Sequence, residues 1–409
     1  MTELFAEKRW SGEFYLPNSY EKRFCGQVEY SPEKGVVLSY TIIGRAVPAQ
    51  SDVLFGVLDT GEKCTLVGRF SPQDSKTSLR DGDFTRRGKT GFLYLAIGDF
   101  LAPDEILFHY DFSIPNLQEF FFPEGSVESF TQSDKPFYQL ATQFGKIEVG
   151  CNASFGYLPE EIESHFFSEN VDALNDLKLA FKNIAAKHGE HFLVRKDIAY
   201  RIQLEFKPGA TILAAYSQLE DLTNLFALLI CAPVHPESIH AYKEKAPLQG
   251  PITIKIYPSM VLNSRTTELC TRRRFHRSMP ITKSTAPLDS IVSAWLRNPK
   301  LHSSVVSSIQ NETGRRNEHT AHGDVVLYAT QLESISHIAG KPEKLKYEYP
   351  IVTYGCQKLQ ATFDRIFANC GTTDVGEAIS VLRNELAHVG RPKKLLALLT
   401  LEDLAQISQ

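Results

Sequence analysis

The 409-residue sequence predicts an α+β protein: an N-terminal antiparallel β-rich, sandwich-like region followed by a C-terminal all-α helix bundle. Three observations carry this reading. Residues 1–130 hold runs of β-branched and aromatic residues, cut by Gly, Pro and Asp turn clusters. Residues 135–258 mix strand-like and helix-like stretches. From about residue 270 onward, apolar residues recur at spacings of three and four, the period of a helix with one buried face.

The strand signals come first. They are "GVVLSYTII" (Gly35–Ile43), "SDVLFGVLDTGEKCTLVGRF" (Ser51–Phe70), "GFLYLAIGDF" (Gly91–Phe100) and "EILFHYDF" (Glu105–Phe112). "SPEKG", "DTGEK", "LRDGD" and "LAPDE" separate them, and Asp59-Thr60-Gly61 has the composition of a hairpin turn. Strands in series without intervening helices predict antiparallel pairing. In 135–258, "KIEVGCNASFGYL", "IAYRIQLEF" and "PITIKIYP" read as strands, and "DALNDLKLAFKNIAAKHG" and "SQLEDLTNLFALLICA" as helices. Two divisions stay open at this point: one β-rich region over 1–258, or a sandwich over 1–130 beside a mixed part over 135–258.

The helical part, 270–409, opens with "LDSIVSAWL". Val325, Tyr328, Leu332, Ile335 and Ala339 form one stripe, ended by "GKP". Cys356, Leu359, Phe363, Ile366 and Cys370 form a second, with Gly371 as its stop. Val375, Ile379, Leu382 and Leu386 form a third, behind Asp374 and Glu377 in capping-box spacing. Leu395 to Leu404 closes a bundle of four to six helices.

Composition narrows the classes. The N-terminus "MTELFAEKRW" is charged and lacks the apolar core of a secretory signal. The longest apolar run, Leu225–Val234, falls far short of the roughly 20 residues that span a bilayer. A cytoplasmic protein without membrane contact is expected. Seven dispersed cysteines without a CxxC pair argue against a disulfide framework or structural zinc, and predict buried free thiols. No metal or cofactor is expected. Residues 260–409 hold 19 Lys+Arg against 14 Asp+Glu, a net +5, whereas the rest of the chain is at −9. A basic C-terminal part hints at a polyanionic partner.

The chemistry concentrates in "RNELAHVGRP", Arg383 to Pro392. At 100° per residue, Arg383 sits about 80° to one side of Val375 and His388 about 220° round, so both point away from the bundle interior. Two routes bring them onto one substrate: unwinding of the helix near Gly390-Arg391-Pro392, or a second copy completing the site.

"RNELAH" fits an Arg-x4–6-His signature, and in this it resembles the HEPN-domain ribonucleases, small helical bundles with a polar residue after the arginine. The order of elements resembles the ApeA-like HEPN proteins of bacterial anti-phage defence, with a β-rich region before the bundle. The resemblance implies a homodimer formed through the bundle and metal-independent RNA cleavage, in which the ribose 2′-hydroxyl attacks the adjacent phosphate and leaves a 2′,3′-cyclic phosphate and a 5′-hydroxyl. Under it, His388 moves protons, because histidine as a type titrates near neutrality. Arg383 balances charge on the phosphate oxygens, and Asn384 holds the phosphate or the imidazole. Glu333, in "ATQLESISHIAG", is the candidate for the acidic residue that orients Arg383; the plain alternative is a surface pair with a helix neighbour. The RNA backbone would meet Arg391, Lys393 and Lys394, Arg315 and Arg316, and Arg272, Arg273 and Arg274, with Phe275 stacking on a base. Host or phage RNA is the implied substrate, and transfer RNA suits it through its exposed loops. The implied role is abortive infection, with a phage-derived trigger sensed by the N-terminal region.

Other signals are weaker. Gly88-Lys89-Thr90 has the tail of a P-loop, but Gly82 stands one position too far upstream. His319, His322 and Asp324 have metal-ligand spacing, yet Gly323 places them in a polar loop before a helix. Glu160, Glu161, Glu163 and His165 offer paired carboxylates for a carbohydrate-active β region. A non-catalytic protein, binding a ligand by its β region and dimerising by its bundle, is the main alternative to the nuclease.

Overall fold

The computed structural model describes residues 3–44, 49–72, 76–80, 83–121, 136–157, 168–188, 193–244, 250–276, 279–298, 306, 309–310, 318–388 and 392–408. The chain divides into two compact units. One comprises 1–223, 235–261 and 271–293; the other comprises 224–234, 262–270 and 294–409. The turning point in composition near 258–270 therefore differs from the packing boundary. Composition marks where strand residues stop, but segment 271–293 returns to the first unit and 224–234 belongs to the second.

The first unit is built on β1 (Lys8–Tyr15), β2 (Phe24–Ser31), β3 (Gly35–Ile43), β4 (Ser51–Leu58), β5 (Lys63–Phe70), β6 (Lys76–Arg80) and β7 (Asp83–Phe92). It continues with β8 (Tyr94–Ile97), β9 (Leu107–Ser113), β10 (Tyr138–Thr142), β11 (Gly145–Tyr157), β12 (Leu193–Ala210), β13 (Ser238–Lys243) and β14 (Ile252–Pro258). They form one sheet in the order β10-β11-β12-β9-β13-β14-β8-β5-β4-β1-β2-β3-β7-β6. Every pairing is antiparallel. Because β9 lies between β12 and β13, the strands of 1–130 and 135–258 share this sheet.

Alternation explains the core. On β3, Val36, Leu38, Tyr40 and Ile42 are buried while Ser39 and Thr41 between them are half-exposed. Phe24 stacks on Phe70 with ring centres 5.4 Å apart. Five strands separate β14 from β3 in the sheet, yet the Val36 N–H donates to Ser259 Oγ at 2.8 Å, just past β14. The sheet therefore curls until these strands meet, as its right-handed twist favours. The P-loop-like Gly88 is mid-strand on β7, opposite Tyr40. A Cβ there would stand 2.4 Å from the Tyr40 hydroxyl, so the glycine serves packing.

The helices are α1 (Leu117–Phe121), α2 (Val171–His188), α3 (Ile212–Ile230), α4 (Ser264–Thr271), α5 (Leu288–Arg297), α6 (Glu318–Ile338), α7 (Glu348–Tyr354), α8 (Gln357–Asn369), α9 (Val375–Ala387) and α10 (Leu401–Ser408). In the second unit, Val325 and Ala329 of α6 pack with Ile351, Phe363, Ile366, Phe367, Ile379, Leu382 and Leu404. Gln310, buried in this unit, accepts the Val234 N–H and donates to the Val234 carbonyl, both at 2.7 Å. α6 begins at Glu318, so His319, His322 and Asp324 lie on a helix that runs through Gly323, where the sequence pattern predicts a loop. Among the described residues no helix is long and apolar enough to cross a membrane. The described cysteines are free, but Cys25, Cys231 and Cys356 are exposed, against the expectation of burial.

Candidate active site

The motif sits on α9. Asp374 caps this helix by accepting the Glu377 N–H at 2.8 Å, as the capping spacing predicts. Ala378, Ile379 and Leu382 face the core, with Val375 and Leu386 packed at its edge. Gly376 lets the first turn approach α7: a Cβ there would lie 2.9 Å from the Glu348 Cβ.

The helix ends at Ala387. His388 is its C-cap, with extended backbone (φ −119°, ψ 107°) and its N–H donating to the Asn384 carbonyl at 3.2 Å. The imidazole is exposed. A helical wheel drawn through His388 therefore does not apply, because the chain has left the helix before the unwinding point expected near Gly390.

Arg383 is half-buried, a correction to the outward orientation predicted from the wheel. Its Nη1 donates to Asn384 Oδ1 at 3.1 Å, and its Nε is buried without a partner among the described residues. Tyr347, a buried member of the same core, lies within electrostatic reach of Arg383. Burial raises the Tyr347 phenol above the ordinary tyrosine range and the Glu333 charge adds to this, while the Arg383 charge opposes it. Glu333 is half-buried: Oε1 lies 3.4 Å from Lys346 Nζ, and Oε2 accepts the Tyr347 hydroxyl at 3.4 Å. No ion pair joins Glu333 to Arg383 among the described residues; Glu333 contacts Tyr347, and both charges act on its phenol.

Sequence reasoning missed Glu385. It is 5% exposed, and its carboxylate accepts three backbone amides: Lys394 at 2.9 Å, Leu395 at 3.1 Å and Leu396 at 2.8 Å. The Lys393 ammonium donates to the Glu385 carbonyl, which α9 leaves free at its end. Both lysines are exposed, and Lys393 is engaged with the helix terminus. One signal in the sequence pointed to Glu385: it stands three residues after Leu382 and seven after Ala378, on the apolar stripe.

The other expected RNA contacts divide. Arg391, Arg315 and Arg316 lie outside the described residues, as do Gly82, Glu160, Glu161, Glu163 and His165 and the His319 side chain. Arg272, Arg273, Arg274 and Phe275 belong to the first unit, not to the motif's unit. Arg273 pairs with Glu119 of α1 at 2.6 Å, the Arg274 N–H donates to Asn116 Oδ1 at 2.7 Å, and Asn116 Nδ2 donates to the Arg272 carbonyl at 3.4 Å. This segment is docked on its own unit, with the Phe275 ring 69% exposed.

A search of curated proteins and a search of solved structures each return no match. The family model for ApeA N-terminal domain 1 matches residues 9–295, a span from β1 into α5. A match over that much of the chain, on the strand-rich region that precedes the helices, places it: the protein belongs to the ApeA family.

Proposed function

We propose that the helical unit is a HEPN-type endoribonuclease and that the protein acts in abortive anti-phage defence by cutting RNA, with transfer RNA as the expected substrate. Membership of the ApeA family suggests an anti-phage defence protein. The observation that carries the catalytic reading is the way α9 ends. Arg383 and Asn384 stand near its C-terminal end, and His388 steps out of the helix at the C-cap with its ring exposed.

The chemistry follows from these groups. A ribose 2′-hydroxyl attacks the neighbouring phosphorus while His388 moves the proton. Negative charge gathers on the phosphate oxygens. Arg383 meets it with guanidinium donors left over from its bond to Asn384, in a half-buried setting where water screens less. Tyr347 and Glu333 act through Arg383, fixing its side chain rather than touching RNA. A second copy, docked by the bundle, sets two motifs across one cleft. Lys394 lies exposed beside the motif and suits the RNA backbone.

The test is incubation of purified wild type and His388→Ala with total cellular RNA in chelator, followed by mapping of the cut ends. Wild type should leave 2′,3′-cyclic phosphate and 5′-hydroxyl ends; equal cutting by the variant would refute the reading.

A further inference from the structure

We propose that the N-terminal unit carries a binding site for a nucleoside phosphate, in a cleft of about 290 Å3 lined by Glu3, Lys8, Arg9, Trp10, Lys255 and Tyr257. It stands independently of the RNA-cleavage reading.

The sheet beneath holds a buried charged network. Asp111 on β9 is directly cross-strand from His240 on β13, and His240 from Lys255 on β14. Asp111 Oδ1 accepts from Arg201 Nη1 at 2.6 Å and lies 2.9 Å from His240 Nδ1; the Tyr242 hydroxyl donates to Oδ2. Glu3 links this network to the cleft. Its Oε2 is 3.9 Å from His240 Nε2, while its Oε1 accepts the Tyr257 hydroxyl at 2.6 Å and Lys8 Nζ at 3.3 Å. Ionised groups gathered inside a sheet are costly to desolvate, and such a cluster beneath a cleft is a reason to look for a ligand there.

The pattern of satisfied and unsatisfied groups identifies the ligand. Asp111, beneath the cleft, and Glu3 already have donors on them, and the second carboxylate lining the cleft, Glu62, accepts the Thr60 hydroxyl at 3.0 Å. The donors are less occupied. Lys255 has no hydrogen-bond or ion-pair partner among the described residues, nor has the Trp10 indole N–H a hydrogen-bond partner. Among the described residues Arg9 has only Glu29, at 3.6 Å. A cleft whose free capacity is cationic and donating fits an acceptor-rich anion. Its aromatic face is Trp10, which is half-buried and rests edge to face on the buried Tyr257 with ring centres 5.2 Å apart. A half-exposed indole suits a planar base. Base and phosphate together define the class.

Calorimetric titration of the full chain tests this with adenosine monophosphate, adenosine and inorganic phosphate as probes. Adenosine monophosphate should bind saturably, one per chain. Adenosine and phosphate should each bind at least about tenfold more weakly, as loss of one charge-assisted contact or one stacking surface implies. Lys255→Met should weaken adenosine monophosphate binding by a similar factor, and the exposed Arg9→Gln provides a second variant that leaves the sheet interior untouched. Absence of saturable binding, phosphate binding as tightly as the nucleotide, or wild-type affinity in both variants would overturn the proposal.

Discussion

The carboxylate of Glu385 accepts the Leu396 amide at 2.8 Å, joining two residues eleven apart. Between them the chain leaves α9 at His388 and turns back, and its return is held by three amides on one carboxylate and by Lys393 on the helix end. The charged residue inside the motif is thus an anchor for the loop that follows the histidine.

Replacing Glu385 by Ala should destabilise the protein by about 2–4 kcal/mol, because buried amides lose a charged acceptor. Glu385→Gln keeps one acceptor oxygen and should cost less, about 1–2 kcal/mol. Urea denaturation of the three proteins gives the comparison. Equal midpoints would mean that the anchor contributes nothing.

His388→Ala should cut RNA cleavage by roughly 100-fold or more, the range for loss of a general acid or base. Its ring is exposed, so the melting temperature should stay within experimental error of wild type. Arg383→Lys should not rescue activity, since an ammonium lacks the planar fork. Cleavage assays beside thermal melts separate these effects.

Glu333→Gln and Tyr347→Phe should each lower the turnover number with little change in KM, because both groups act through Arg383. The double variant should be no worse than the poorer single one, since the two share one route to the arginine. Additive losses in this cycle would show that they act separately.

Burial alone would raise the Asp111 carboxyl, but hydrogen bonds from His240 and Tyr242 and the Arg201 charge hold it below the ordinary aspartate value. A depressed folded pKa contributes stability that is fully present above the unfolded value, near about 3.9, and is lost as pH falls through the folded value. The wild type should therefore lose stability below about pH 4. Asp111→Asn should lose less over the same interval, though it starts from a lower stability. Unfolding curves between pH 6 and 3 measure the two slopes; parallel slopes would contradict the assignment.

Gly376→Ala should destabilise the helical unit by about 1–3 kcal/mol through overpacking against the Glu348 Cβ. Differential scanning calorimetry reads the loss, and a neutral result would mean that α7 and α9 separate freely.

Much was legible in the sequence where the signal is local. The stripes at Phe363–Ile366 and Ile379–Leu382, the cap at Asp374 and the strand at Gly35–Ile43 all follow from spacing over a few residues. β1 and β2 were not recognised, because "KRWSGEFY" and "FCGQVEYS" lack the dense β-branched run of β3, although Phe24, Val28 and Tyr30 alternate with polar or small residues as a half-buried strand requires. Arg383 and His388 were found as residue types at a spacing. The half-burial of Arg383 was not, because it depends on how the bundle packs around α9 and not on spacing along the chain.

By itself, then, the sequence determined the class of the protein, strands before helices, and the motif that closes α9, since period, cap and helix stop act between near neighbours. Only the tertiary structure decided that β9 inserts between β12 and β13, that Glu385 holds the returning chain, and that Glu333 reaches the Tyr347 hydroxyl. Those pairings join residues far apart along the chain, and hydrogen-bond geometry selects among many partners of the same residue type only once the backbone has brought them together.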